Sequence, residues 1–156
     1  MSVNDQNCYH IQIVENGFDP WETLSDYQNS TMQGKTDFGA TATFIGTMRD
    51  FNEGDAVSAM ELEHYPEMTQ KQLTEIIEQA IVKWPIHNVL IVHRVGKILP
   101  GEPIMLLAVW SAHRAAAFDA CRHLMEALKH QAPFWKKEQL TTGGSRWVEK
   151  NTDGYA

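Results

Sequence analysis

The 156-residue chain reads as one α+β domain, with helices packed on one face of a mainly antiparallel sheet. Three observations carry this. Short runs rich in Val, Ile, Thr and Phe lie between glycines, prolines and polar turns. Two longer segments instead repeat their apolar residues at helical spacing. From residue 38 onward the order is strand, strand, helix, strand, strand, helix, whereas a doubly wound parallel sheet would alternate strand and helix more strictly.

Residues 1–10 are polar and loose by composition. His10 to Val14 alternates as a short strand, and Asp19-Pro20-Trp21 opens a turn or short helix. Asn29 to Asp37 is a polar loop holding Gly34. Gly39 to Gly46 predicts a strand, Thr47 to Asp55 a loop, and Val57 to His64 a half-buried strand with Met60 and Leu62 inward. Thr69 and Gln72 form a capping box for a helix carrying Leu73, Ile76, Ile77, Ala80, Ile81 and Trp84, which Pro85 ends. Asn88 to Val95 and Ile104 to Trp110 are buried strands flanking a turn over Lys97 to Pro103. Ser111 caps a helix to about His130, stopped by Pro133, and a last strand lies near Arg146 to Glu149. His64 and Tyr65 read as structural, with the Tyr65 ring buried. With no repeat or low-complexity linker, residues 1–156 form a single domain: a peripheral segment, 1–37, and a core, 38–150.

The formal charge of -7 argues against non-specific nucleic-acid binding. It is spread unevenly: 6 Lys and Arg face 15 Asp and Glu through residue 112, but 7 face 5 thereafter. Cys8 and Cys121 are far apart and in no metal-ligand spacing, so neither a disulfide framework nor a zinc site is expected, and Cys121 reads as a small core residue. The start lacks a signal-peptide pattern, and the longest strongly apolar run, Pro103 to Ala112, is too short to span a membrane as a helix. A cytosolic location is the default expectation. There is no GK[ST] phosphate loop, dinucleotide fingerprint, GxSxG or HExxH, and no cofactor or metal is called for.

The basic groups gather around two motifs. Lys129-His130-Gln131-Ala132-Pro133-Phe134-Trp135-Lys136-Lys137-Glu138 places three lysines about a stiff aromatic turn. On a helical wheel Phe118, Cys121, Leu124, Met125 and Leu128 form an apolar stripe, and Lys129 falls about 20° from Phe118. Burial there would lower the lysine's pKa and suit a nucleophile or proton donor. The same position also suits a snorkelling lysine at a helix C-terminus. Lys136 and Lys137 are either held in a defined direction, with Glu138 orienting one of them, or part of an exposed basic loop over a buried Trp135. Ser111-Ala112-His113-Arg114 opens the last helix, where free N–H groups and the Arg114 fork attract an anion, or where ordinary capping leaves a surface arginine. Arg49 follows the first core strand and serves either an anion or a salt bridge to a neighbouring acid.

Taken together, GTMRDFNEGD at 46–55, LEHYPEMT at 62–69, HRVGKILPGE at 93–102, SAHRAAAF at 111–118, LKHQAPFWKKE at 128–138 and RWVE at 146–149 resemble the large, catalytic subunits of molybdopterin synthase, in the same order and over roughly residues 38–150. The resemblance implies an α/β hammerhead fold with an additional antiparallel β subdomain. It also implies a cytoplasmic sulfurtransferase that adds two sulfurs to cyclic pyranopterin monophosphate (precursor Z), forming the dithiolene of molybdopterin. The sulfur arrives as a thiocarboxylate on the C-terminal glycine of a small ubiquitin-like subunit. The implied assembly is a heterotetramer built on a homodimer of large subunits. The implied pocket comprises Lys129 and Lys136 as catalytic groups, with Arg49, His113, Arg114, Lys137 and Glu138 binding substrate. Shortly after RWVE, where relatives carry a basic residue, this chain has Lys150 followed by Asn151.

Arg114 and Lys129 are 15 residues apart on one predicted helix, so their Cα atoms lie about 22 Å apart. Two groups so separated serve one small site only if it is shared, with His113 and Arg114 supplied across a dimer interface. Without the resemblance, the same residues also fit an acyl- or group-transfer enzyme acting on another small anion. They fit equally a non-catalytic adaptor that captures a partner's C-terminal carboxylate.

Overall fold

The computed structural model describes residues 8–149. The chain runs through β1 (Tyr9–Val14), α1 (Pro20–Ser30), β2 (Ala40–Thr47), β3 (Phe51–Asn52), β4 (Asp55–His64), α2 (Pro66–Lys83), β5 (Ile86–Arg94), β6 (Gly96–Ile98), β7 (Pro103–Ser111), α3 (Arg114–Gln131), β8 (Phe134–Leu140) and β9 (Ser145–Val148). These strands make two sheets. The first has the order β1-β5-β7-β2; β1 lies parallel to β5, and the other neighbours are antiparallel. The second is antiparallel, in the order β3-β4-β8-β9, with β6 also on β4.

The first sheet is covered on both faces, which explains why β5 and β7 are apolar nearly throughout rather than alternating. Side chains one residue apart along a strand point to opposite faces. Val89, Ile91, Leu107 and Val109 accordingly meet Leu73, Ile76 and Ile77 of α2 and Leu124 and Leu128 of α3. Leu90, Val92, Leu106, Ala108 and Trp110 pack the other way, against Leu24 and Tyr27 of α1. Each such large side chain contributes about 1.5–3 kcal/mol on full burial. The two helices expected from residue 38 onward, α2 and α3, share one face as expected, and α1 covers the other. The segment expected as a turn or short helix is an 11-residue helix, begun by Pro20 in the first turn and by the Asp19 carboxylate accepting from the Trp21 and Glu22 amides at 2.9 and 3.2 Å. The second sheet has its own small core of Met48, Val57, Met60, Leu62 and Ile98.

Helix starts differ from the sequence reading. Helix α2 begins at Pro66 rather than after Thr69, because proline suits the first helical position; Thr69 is buried, with its hydroxyl 3.2 Å from His64 Nδ1. Helix α3 begins at Arg114 with His113 as its cap residue. Ser111 instead ends β7, buried, donating to the Pro85 carbonyl at 2.8 Å. Phe118 is 67% exposed, so the buried stripe of α3 runs through Ala117, Cys121, Leu124 and Leu128 without it. The loop expected over 47–55 contains a tight hairpin, β3–β4, turned by Glu53 and Gly54 with φ of 51° and 82°; this turn demands positive φ at both positions. Lys97 to Pro103, expected as a turn, holds the end of β6.

Candidate functional site

Three elements end at one place. Arg49 follows β2, Lys129 lies in the last turn of α3, and Lys136 is the third residue of β8. Ala132-Pro133 forces the change from α3 to β8: proline cannot continue the helix, and Ala132 is already extended. The chain therefore crosses from the helix on the first sheet into the second sheet within three residues. That crossing brings the helix's last lysine to the lysine of the new strand.

The three cations line two adjoining cavities of about 110 and 370 Å³, which also share Thr47, Met60 and Ile104. The smaller is the polar end, where Asn52 and Glu138 join the wall. The larger adds apolar walls from Phe44, Leu62, Met105, Met125, Leu128 and Phe134, with His93 among them. A cavity that joins apolar walls to three cations suits an extended segment that carries an anion at its tip.

Lys129 keeps access to solvent, but protein atoms crowd it. Desolvation is the leading cause that lowers its pKa, followed by the charges of Lys136 and Arg49; Glu126 opposes them. The Arg49 guanidinium lies over the Phe51 ring, 4.9 Å from its centroid. Lys136 Nζ stands 3.5 Å from Glu138 Oε1.

Glu138 is 2% exposed and thoroughly engaged. Asn52 donates to Oε1 at 2.7 Å and Arg146 Nε donates to Oε2 at 3.1 Å. Arg146 also donates to Asp55 Oδ2 at 2.8 Å and to the Asn52 carbonyl at 2.9 Å. This network ties β3, β4, β8 and β9 beneath Lys136.

The segment expected as a stiff aromatic turn is the strand β8, and strand alternation decides its side chains. Phe134, Lys136 and Glu138 face the cavities. Lys137 lines neither of them and lies 5.5 Å from the Trp147 ring centroid. Trp135 is partly exposed, and Tyr65, expected to be buried, is 66% exposed and meets the Trp135 ring edge-on at 5.4 Å. His113 and Arg114 are exposed at the opposite end of α3 from Lys129 and line neither cavity. One chain therefore gathers Arg49, Lys129, Lys136 and Glu138, and leaves His113, Arg114 and Lys137 outside. Lys150 falls outside the described residues.

Sequence reasoning overlooked His93 and Arg146. His93 ends the apolar run Val-Leu-Ile-Val of β5, and a polar residue closing so buried a strand was the available signal. Arg146 needed the β8–β9 register, which sets it opposite Glu138.

The model of the MoaE protein family matches residues 16–131. The molybdopterin synthase catalytic subunit of Ralstonia nicotianae is 53% identical over 139 residues, covering 89% of this chain and 76% of that one. The corresponding Pseudomonas aeruginosa subunit is 47% identical, over 89% of each. Among solved structures, a molybdopterin biosynthesis MoaE protein from Burkholderia ambifaria superposes with a TM-score of 0.74 at 43% identity, over 93% of this chain and 92% of that one.

Proposed function

Since this chain belongs to the MoaE protein family, we propose that its cationic pocket is where sulfur passes to the pterin precursor of the molybdenum cofactor. The chain is an enzyme of molybdopterin synthesis, a sulfurtransferase. Its reaction moves sulfur from the thiocarboxylated C-terminus of a small ubiquitin-like subunit onto cyclic pyranopterin monophosphate, giving the dithiolene.

The convergence of Arg49, Lys129 and Lys136 on two adjoining cavities carries the reading at residue level. The small subunit's tail enters the larger cavity as an extended segment. Its terminal group meets Lys129 and Lys136, whose charges stabilise the negative charge that develops as sulfur leaves the tail. No cysteine is needed, because the partner brings the sulfur. Arg49 binds the phosphate of the pterin, together with His113 and Arg114 of a second large subunit. Glu138 acts through Lys136 and Arg146 rather than on the anion itself, since its oxygens are already engaged. Lys137 contributes to the basic surface on the outer side of β8. The assembly is a homodimer of large subunits with a small subunit at each end, and it works in the cytoplasm.

Incubation with precursor Z and a thiocarboxylated small subunit should yield molybdopterin. Lys129→Ala and Lys136→Ala should each lower turnover about 100-fold, the usual effect of removing one charge-stabilising donor. Near-normal turnover in both variants would sink the assignment of these lysines.

A further inference from the structure

His93 is buried at the end of β5, yet it lines the larger cavity beside Lys129 and Phe134. Its ring stacks on Phe134, with centroids 4.0 Å apart and planes 10° from parallel. Its Nδ1 lies 2.8 Å from the Arg94 carbonyl oxygen. A carbonyl only accepts, so Nδ1 carries the proton, and in the neutral ring Nε2 is the bare acceptor nitrogen. Phe134 is the first residue of β8, two positions before Lys136 on the same face of the strand. The stack therefore sits at the point where the chain turns out of α3 and begins to aim its second lysine.

We propose that His93 is a positioning residue for sulfur transfer: stacked on Phe134 and held as the Nδ1–H tautomer by the Arg94 carbonyl, it fixes where β8 delivers Lys136 and gives the channel an uncharged wall beside Lys129. A cationic ring there would share the cavity with Lys129, Lys136 and Arg49, and His64 lies nearby, 6.0 Å from the Phe134 ring. Glu126 and Glu138 are the carboxylates near this group of charges. Burial is the main cause that depresses the His93 pKa, to about 4; the bond to the Arg94 carbonyl opposes it, and Lys129 and His64 add to it. The neutral ring thus keeps a fourth positive charge out of the channel.

This proposal rests on the sulfur-transfer reading, and the test separates the two. In the complex with a thiocarboxylated small subunit, His93→Leu removes stack and hydrogen bond, while His93→Phe keeps a flat ring on Phe134. His93→Leu should lower kcat per folded molecule about tenfold, because small misplacements of a reacting group are costly. His93→Phe should recover most of the lost rate. Equal kcat in all three chains overturns the positioning role, as does a loss that appears only as a smaller folded fraction. Should the variants fail to fold, the imidazole ¹⁵N shifts of the unaltered chain still decide: they should show Nδ1 protonated and Nε2 bare down to about pH 6. A cationic ring or the Nε2–H tautomer overturns the proposal. A wild-type chain that makes no molybdopterin indicts the functional reading instead, and leaves the spectrum to speak for the ring.

Discussion

At the scale of single residues, two perturbed groups make opposite demands on pH. His93 is neutral when folded, with a pKa of about 4 against an ordinary 6.5, so between those values the unfolded chain binds more protons than the native one. Stability therefore rises with pH across that window and is lost as pH falls through it, by up to roughly 3 kcal/mol. Urea midpoints from about pH 4 to 7 should show this slope, and His93→Phe should flatten it. Lys129 is the basic counterpart: its lowered pKa means that its charge is costly in the empty pocket. An anion that relieves Lys136 and Arg49 should return that pKa toward the ordinary lysine value. If the ammonium form does the work, sulfur transfer falls as pH rises through the Lys129 pKa, and the midpoint of that fall moves up when the small subunit is bound. A pH–rate series on free and pre-assembled enzyme measures it; a midpoint indifferent to the partner would mean that Lys129 does not meet the tail.

At the scale of elements, the second sheet depends on Glu138. Its carboxylate is buried and shared among Asn52, Lys136 and Arg146, so Glu138→Ala leaves several donors facing a void. Breaking a buried pair from one side costs about 3–5 kcal/mol, and a fall in Tm of several degrees, with loss of the β8–β9 amide protection, is the expected outcome. Gly39 matters for a different reason. A Cβ there would meet the Ala112 carbonyl oxygen at 2.5 Å, a backbone contact that no rotamer change relieves. Gly39→Ala should cost about 1–3 kcal/mol and displace the segment leading to His113 and Arg114, which thermal melts and the amide shifts of residues 111–114 would report. These two elements also show what was legible in the sequence. Strands β2, β4, β5 and β7 stand out because their apolar runs are long, and Pro85 and Pro133 mark helix ends by their own chemistry. Strand β8 hides because a Pro-Phe-Trp-Lys-Lys-Glu stretch has turn-like and charged residues on both faces. Its pairing with β4, Val57 to His64 against Leu140 to Phe134, is long-range and leaves no local period to find. Arg49, Lys129 and Lys136 are visible as unusual cations, but the alternation that keeps Lys136 inside and turns Lys137 out follows only from the strand.

At the scale of the whole molecule, the cations divide along α3, and the helix is what separates them. Lys129 stands with Arg49 and Lys136 at the cavity, while His113 and Arg114 are exposed at its far end. A rigid helix of this length holds Arg114 and Lys129 about 22 Å apart, too far for one small phosphorylated substrate. In the proposed two-fold dimer the same patch occurs on both partners, and the N-terminal end of one α3 would complete the pocket at the C-terminal end of the other. The consequence is quantitative. If the site is shared, Arg114→Ala and Lys129→Ala homodimers each lack one half of every site. A mixed dimer places both defects in one site and leaves the other site intact. Random exchange of equal amounts should make half of the dimers mixed, with one intact site in each, so about one quarter of wild-type turnover should return. Chains shown by mass to have exchanged, yet still inactive, would place Arg114 and Lys129 in separate functions and leave the phosphate to Arg49 and its neighbours within one chain.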